Sequence, residues 1–166
     1  MKRLLGLIVM LVVVAGTGFF AWRILFPNPE AVIRKRLGDL ARAASIASNE
    51  APAARLLNAQ KLSTFFAADA RIRVEIPGHS EQAFNGVDEI RAAAMAARSG
   101  LNALRVEFPD IILTLGPDKT SALVELTAKG TVPGDKELYV QELKGTLKKI
   151  EGNWLITNVE TVKTLR

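Results

Sequence analysis

The chain has 166 residues, which is enough for one ordinary domain with a small appendage and too few for two domains with separate cores. Apolar residues make up 49% of it and charged residues 23%, a composition that excludes both a disordered chain and a protein lying wholly within a membrane. With no Cys and a single His, the sequence excludes disulfide frameworks, thiolate zinc sites and cysteine nucleophiles, and we expect neither a metal nor a cofactor.

The N-terminal segment contains an uncharged apolar run, residues 4–22, between Lys2-Arg3 and Arg23. As a helix, these 19 residues would be about 28 Å long, close to the thickness of the hydrocarbon layer of a bilayer. We therefore expect residues 1–27 to form a single-pass transmembrane anchor that contacts membrane lipid through residues 4–22. A cleaved signal peptide is the alternative, because a short basic segment precedes the apolar run.

The basic residues on the two sides of the run set the expected orientation. Those that follow it, including Arg34, Lys35 and Arg36, favour a cytoplasmic domain by the positive-inside rule. The Lys2-Arg3 start directly before the run is typical of an export signal, and the absence of Cys suits an oxidising compartment. We expect a cytoplasmic N-terminus and a domain outside the cytoplasm.

The formal net charge of +5 does not indicate a nucleic-acid-binding protein. Without Lys2, Arg3 and Arg23, nineteen basic residues remain against seventeen acidic ones, so residues 24–166 carry only +2. No basic run alternates with aromatic residues as a single-strand binding groove requires. We therefore expect no nucleic acid among the partners.

Two amphipathic helices are predicted after the anchor. Asn28 is placed to cap the first helix and Pro29 to occupy its first position, and the helix should end near Ser48. Its apolar residues recur at spacings of three and four and are Ile33, Leu37, Leu40, Ala44 and Ala47. The second helix should run from Pro52 to about Asp69, with an apolar side made of Leu56, Ala59, Leu62 and Phe66.

The rest of the chain predicts one strand, a third helix and a long antiparallel meander. Apolar and charged residues alternate over 71–78, which is typical of a strand with one buried face. A helix should follow from Asn85-Gly86 to Ser99-Gly100, with Val87, Ile90, Ala94 and Ala97 as its apolar stripe. Four strand-like segments then fill 104–165, separated by turns at 116–119, 133–135 and 151–153. The expected domain, residues 28–166, is of the α+β class, with a curved, mostly antiparallel sheet wrapped around three helices.

Three segments of this domain resemble the nuclear transport factor 2-like superfamily, which includes ketosteroid isomerases and SnoaL-like cyclases. They are FFAADARIRVEIPG at 65–78, NGVDEIRAAA at 85–94 and LKKIEGNWLITNVE at 147–160. The resemblance implies a cone-shaped α+β barrel with a cavity at its wide end. Alternation along the strands predicts its inward-facing residues, which are Ile72, Val74, Ile76, Val124 and Leu126. The resemblance does not imply an activity, because unrelated functions share a fold.

The resemblance also argues against isomerase chemistry. Ketosteroid isomerases carry a catalytic aspartate at the position that aligns with Ile76, and their oxyanion-donor tyrosine lies in the first helix. The single tyrosine of this chain, Tyr139, falls in the meander instead. We therefore expect no catalytic residue.

Four polar residues are the candidates for contacting a ligand in such a cavity. His79 follows the first strand, and Asp110 lies beside a Pro corner where a bulge would turn its side chain. Tyr139 and Asn158 complete the set. For His79 the simpler interpretation is a solvated loop residue.

The function predicted from the sequence is that of a membrane-anchored, non-enzymatic binding or assembly module of the cell envelope. The alternative is an enzyme or carrier that acts on a small apolar molecule in the cavity. Mixed charges on the outer sheet face, such as Arg73, Glu107, Glu125 and Lys129, would suit envelope protein partners or a homodimer.

Overall fold

The structure of the protein is a computed structural model that describes residues 28–75, 81–134 and 138–162. The chain divides into two compact units, residues 1–32 and residues 33–166. The predicted membrane span, residues 4–22, lies outside the described residues. None of the helices in the described ranges is both long enough and apolar enough to cross a bilayer.

The first helix, α1 (Pro29–Ala44), begins as the sequence predicts. The side-chain oxygen of Asn28 accepts the backbone N–H of Glu30 at 3.0 Å, which satisfies one of the free donors at a helix start. The helix ends several residues earlier than predicted. Ile46 instead forms a bridge with Leu104, in which each N–H donates to the other's carbonyl at 2.7 and 3.0 Å.

The second helix, α2 (Pro52–Ser63), is also shorter than predicted. The hydroxyls of Ser63 and Thr64 donate to the carbonyls of Gln60 and Lys61 and so satisfy backbone acceptors at the helix end. The chain then enters the sheet, where the carbonyl of Phe65 accepts the N–H of Ile156. The predicted apolar side is therefore only partly correct, because Ala59 is buried whereas Leu56 is 55% exposed.

The third helix, α3 (Val87–Gly100), agrees with the prediction. Gly86 precedes it with a φ of 84°, a conformation that L-residues with a side chain rarely adopt. Asp88 and Glu89 lie in its first turn, where carboxylates stabilise the positive end of the helix dipole.

In the part of the chain that the structure describes, seven strands form one sheet. They are β1 (Phe66–Val74), β2 (Gln82–Asn85), β3 (Arg105–Glu107), β4 (Ile111–Leu115), β5 (Ser121–Thr131), β6 (Leu138–Ile150) and β7 (Asn153–Thr161). Their order is β2-β1-β7-β6-β5, and β3 and β4 pair one after the other with different parts of β5. Among the strand pairs that the structure describes, only β1–β7 is parallel, so the expected α+β class with a mostly antiparallel sheet is confirmed. The short strand β2 is not among the predicted elements, because its sequence QAFN has no apolar alternation.

The core lies between α1 and the inner face of the sheet. Ile33 and Leu37 of α1 belong to one buried cluster with Val124, Leu147 and Trp154. Trp154, which opens β7, is only 3% exposed. This packing fixes α1 against the strands β5, β6 and β7, which also form the wall of the cavity described next.

Candidate apolar ligand cavity

The inner face of the sheet carries the apolar rows that alternation predicts. Ile72 and Val74 of β1 and Val124 and Leu126 of β5 all line one cavity. Leu143, Gly145 and Leu147 continue this face on β6. Successive side chains of a strand point to opposite faces, so every second residue of three strands reaches the same space.

Two helices close this space from the other side. α1 contributes Leu37, Leu40 and Ala44, and α3 contributes Ala93, Ala94 and Ala97. The alanines of α3 are the reason that the space stays open, because larger side chains at these positions would fill it. The cavity has a volume of about 430 Å³, within the range of about 300–1,000 Å³ that small-molecule sites occupy.

The lining determines what kind of group the cavity accepts. Every described residue that lines it is apolar, and three phenylalanines, Phe66, Phe84 and Phe108, take part. A water molecule in a protein interior needs two to four polar partners, and these side chains offer none. The cavity therefore favours a hydrocarbon chain or ring over water or a polar ligand.

Gly145 sets the depth of the cavity on β6. A Cβ atom built at this position would lie 3.4 Å from the backbone carbonyl oxygen of Asn158, which is at the edge of ordinary contact. A larger side chain here would both crowd β7 and reduce the cavity, so the glycine preserves space for a ligand.

The sequence-predicted polar candidates do not line this cavity where the structure describes them. Asp110 is exposed and borders a shallow groove with Ile112 and Glu125 on the opposite face of the sheet. Its backbone carbonyl accepts the N–H of Thr127 at 3.1 Å. His79 and Ile76 lie outside the described residues.

Tyr139 and Asn158 are also separated from each other. Tyr139 lies on the same face of β6 as Leu143, four residues before it and near the start of the strand, and it is 48% exposed. Asn158 adjoins Val159, which lines the cavity, so alternation directs its side chain to the outer face opposite Thr146. The structure brings no two of these three residues together at the cavity.

A buried ion pair lies beside the helices, and the sequence did not predict it. Arg98 and Glu50 have side chains only 2% and 6% exposed, and Nη1 of Arg98 lies 2.9 and 3.0 Å from the two carboxylate oxygens. Arg98 also donates to the carbonyls of Ala43 and Ser45, and Asn58 donates to Glu50.

Arg98 continues the buried row of Ile90 and Ala94 at a spacing of four, a signal that the sequence already contained.

The pKa of the Glu50 carboxyl reflects this environment. Burial raises this pKa, but hydrogen bonds from Asn58 and Arg98 and the positive charge of Arg98 lower it. The lowering effects are larger, so the pKa of Glu50 lies below the ordinary value for a glutamate. Glu50 is therefore a permanently ionised structural residue near neutral pH. Across the described ranges, no group of three or more His, Asp or Glu side chains is placed to hold a metal ion.

Comparison with known proteins gives the fold. No protein-family model matches the chain, and no curated protein matches its sequence. A nuclear transport factor 2-like protein of unknown function from Pseudomonas putida is 13% identical, with a TM-score of 0.63 over 82% of this chain and 87% of that chain. A nuclear transport factor 2-like protein with a cystatin-like fold from Novosphingobium aromaticivorans is 14% identical, with a TM-score of 0.61 over 86% of each chain.

A third similar structure is that of a protein from Novosphingobium aromaticivorans that is named as a candidate scytalone dehydratase. It is 13% identical, with a TM-score of 0.56 over 82% of this chain and 84% of that chain. At such identities the likeness establishes the fold alone. The domain thus has the nuclear transport factor 2-like fold, as the resemblance of its sequence implied.

Proposed function

We propose that this protein is a membrane-anchored, non-enzymatic binding module of the cell envelope, whose cavity holds an apolar molecule or the apolar part of a lipid. The observation that carries the proposal is the cavity of about 430 Å³ with an entirely apolar described lining. Transfer of hydrocarbon from water into such a space contributes about 0.8 kcal/mol per buried CH₂ group.

The lining favours binding over catalysis. A general acid or base must come within hydrogen-bonding distance of the group it protonates or deprotonates, about 2.6–3.2 Å. The described lining of the cavity supplies no titratable side chain for that task. The enzymatic alternative would need polar groups converging on the ligand, and Asp110, Tyr139 and Asn158 are not among the cavity residues.

The predicted anchor at residues 4–22 supports a ligand drawn from the membrane. An apolar molecule concentrates in the bilayer, and a tethered domain meets it there at a high local concentration. The mixed charges of the outer sheet face support a polar contact with an envelope protein or a second copy. Lys144 lies 3.9 Å from Glu125 there, and Arg105 2.9 Å from Glu107.

Photolabelling of the full chain in lipid nanodiscs tests the proposal. An alkyl diazirine, a photoreactive hydrocarbon, should label peptides of β5 and β6, which line the cavity, in addition to residues 4–22. Ala97→Phe places a ring where α3 lines the cavity and should reduce β5 and β6 labelling several-fold, as a filled cavity loses its free volume. The matched control is Ala96→Phe, which adds the same ring at the adjacent position, outside the cavity lining.

The outcome is read from the position of the label. Labelling of β5 and β6 that Ala97→Phe lowers and Ala96→Phe leaves unchanged supports the binding function. Labelling confined to residues 4–22 in the unmodified protein contradicts it. Co-purification of the chain from gently solubilised membranes tests the assembly role, and recovery of the protein alone, as a monomer at every concentration, contradicts that part.

A further inference from the structure

A second concave surface lies on another flank of α1. It has a volume of about 690 Å³ and is bounded by α1, by α2 through Asn58 and Lys61, and by β3 through Arg105. We call it the basic groove, after the basic side chains that line it: Arg36, Arg42, Lys61 and Arg105. It shares no lining residue with the apolar cavity.

The charges of the basic groove do not cancel. Four basic and two acidic side chains line it, which leaves a formal charge of +2. Asp39 pairs with Arg42, and Glu50 is taken by the buried Arg98. Arg105 pairs with Glu107 at 2.9 Å, outside the lining. Within the described part of the chain, Arg36 and Lys61 are left without an ion-pair partner.

Arg36 is held in a fixed orientation. Its Nη2 donates to the carbonyl of Thr64 at 2.8 Å, and its guanidinium carbon lies 4.9 Å from the centre of the Phe65 ring. Such stacking orients the plane of the guanidinium group. The side chain is therefore ordered before any ligand arrives, which lowers the entropy that binding would cost.

The charge of Arg36 is only partly compensated by its surroundings. Its Nε is the one buried side-chain nitrogen or oxygen atom without a hydrogen-bond partner among the described residues. Burial lowers the pKa of this guanidinium, and the nearby Asp39 raises it by less. An anion bound beside Arg36 would compensate for the lost hydration of the cation.

We propose that the basic groove binds a phosphate group, with Arg36 and Lys61 as its main contacts and Arg42 and Arg105 at its edges. A phosphate monoester carries about −1.5 to −2 charges near pH 7, which matches the uncompensated charge of the groove. The guanidinium N–H groups of Arg36 that do not bond to Thr64 can donate to phosphate oxygens, and Lys61 adds a mobile point charge. The site is independent of the apolar cavity and does not rest on the function proposed for it.

Calorimetric titration of the full chain in a neutral detergent at low salt tests this site. The probes are inorganic phosphate, glycerol 3-phosphate, and mixed micelles that contain phosphatidylglycerol. Lys61→Gln and Arg36→Gln should each weaken binding about tenfold, the loss typical of one charge-assisted hydrogen bond. Lys35→Gln is the matched control, because it removes one positive charge from the same helix at an exposed position outside the groove.

The three probes separate the source of the phosphate. Binding of the soluble probes that the two groove variants weaken and Lys35→Gln does not supports a site for free phosphate or its monoesters. The same pattern with micelles alone supports a lipid headgroup. Absence of binding by all three probes, or equal weakening by Lys35→Gln, overturns the proposal. Because Lys61 is exposed, its variant remains informative even if Arg36→Gln fails to fold.

Discussion

Arg98 of α3 and Glu50 of the α1–α2 loop form an ion pair that is almost completely removed from solvent, with side chains 2% and 6% exposed. Arg98 also donates to the carbonyls of Ala43 and Ser45, so a single side chain joins α3 to the end of α1 and to the loop after it. Because α1 and α3 together cover the apolar cavity, this pair holds in place the two helices that shape it.

Removal of one member of this pair should strongly destabilise the domain. Glu50→Gln leaves the Arg98 charge buried without a counter-ion, and breaking a buried pair in this way costs about 3–5 kcal/mol. Chemical denaturation gives the free energy of unfolding for comparison. Arg91→Gln disrupts an exposed pair with Asp88 and should cost less than about 1 kcal/mol. Equal effects of the two substitutions would contradict a structural role for the buried pair.

The same pair predicts how stability changes in acid. Burial raises the pKa of Glu50, but hydrogen bonds from Asn58 and Arg98 and the charge of Arg98 take it below the ordinary value of 4.5. The ionised carboxylate is therefore favoured in the folded state, and its contribution is fully present above 4.5. It should be lost as the pH falls through the lowered folded pKa. Unfolding measured from pH 6 downward should show a shallower acid dependence for Glu50→Gln than for the unmodified protein.

A third prediction concerns Trp154, which is 3% exposed and belongs to the main core cluster. Trp154→Ala should lower the free energy of unfolding by about 3–5 kcal/mol, because it removes a large buried side chain and leaves a cavity. Ile112→Ala is the control, since Ile112 is also large and apolar but is 65% exposed. A small effect of Trp154→Ala, similar to that of the control, would show that the ring contributes little to the core.

The sequence predicted best what depends on local periodicity. Alternation identified Ile72 and Val74 on β1 and Val124 and Leu126 on β5 as one inner face, and all four line the cavity. Spacings of three and four identified Ile33, Leu37 and Leu40 as buried residues of α1 in the same way. Ala47, from the same predicted stripe, lies beyond the end of α1 and is exposed. These patterns repeat over several residues, so one exception does not change the prediction.

Features set by distant contacts were predicted poorly. The end of α2 depends on strand pairing after Phe65, and Leu56 is exposed even though its spacing suits a buried stripe. The basic groove joins Arg36, Lys61 and Arg105, which are far apart in the chain, so no local pattern could reveal it. Local alternation could not place the polar candidates either, because the faces of Asp110 and Asn158 depend on the register of β4 and β7.

The last prediction concerns the anchor. Residues 1–27 should keep the protein in the membrane fraction through washes at high salt and high pH, because hydrophobic insertion survives conditions that screen charges. Residues 24–166 carry a net charge of only +2, so electrostatic attraction alone would not withstand such washes. A chain that starts at Asn28 should appear in the soluble fraction with the circular dichroism of an α+β domain. Release of the full chain by salt alone would contradict the anchor, and insolubility of the shortened chain under every refolding condition would contradict a domain boundary before Asn28.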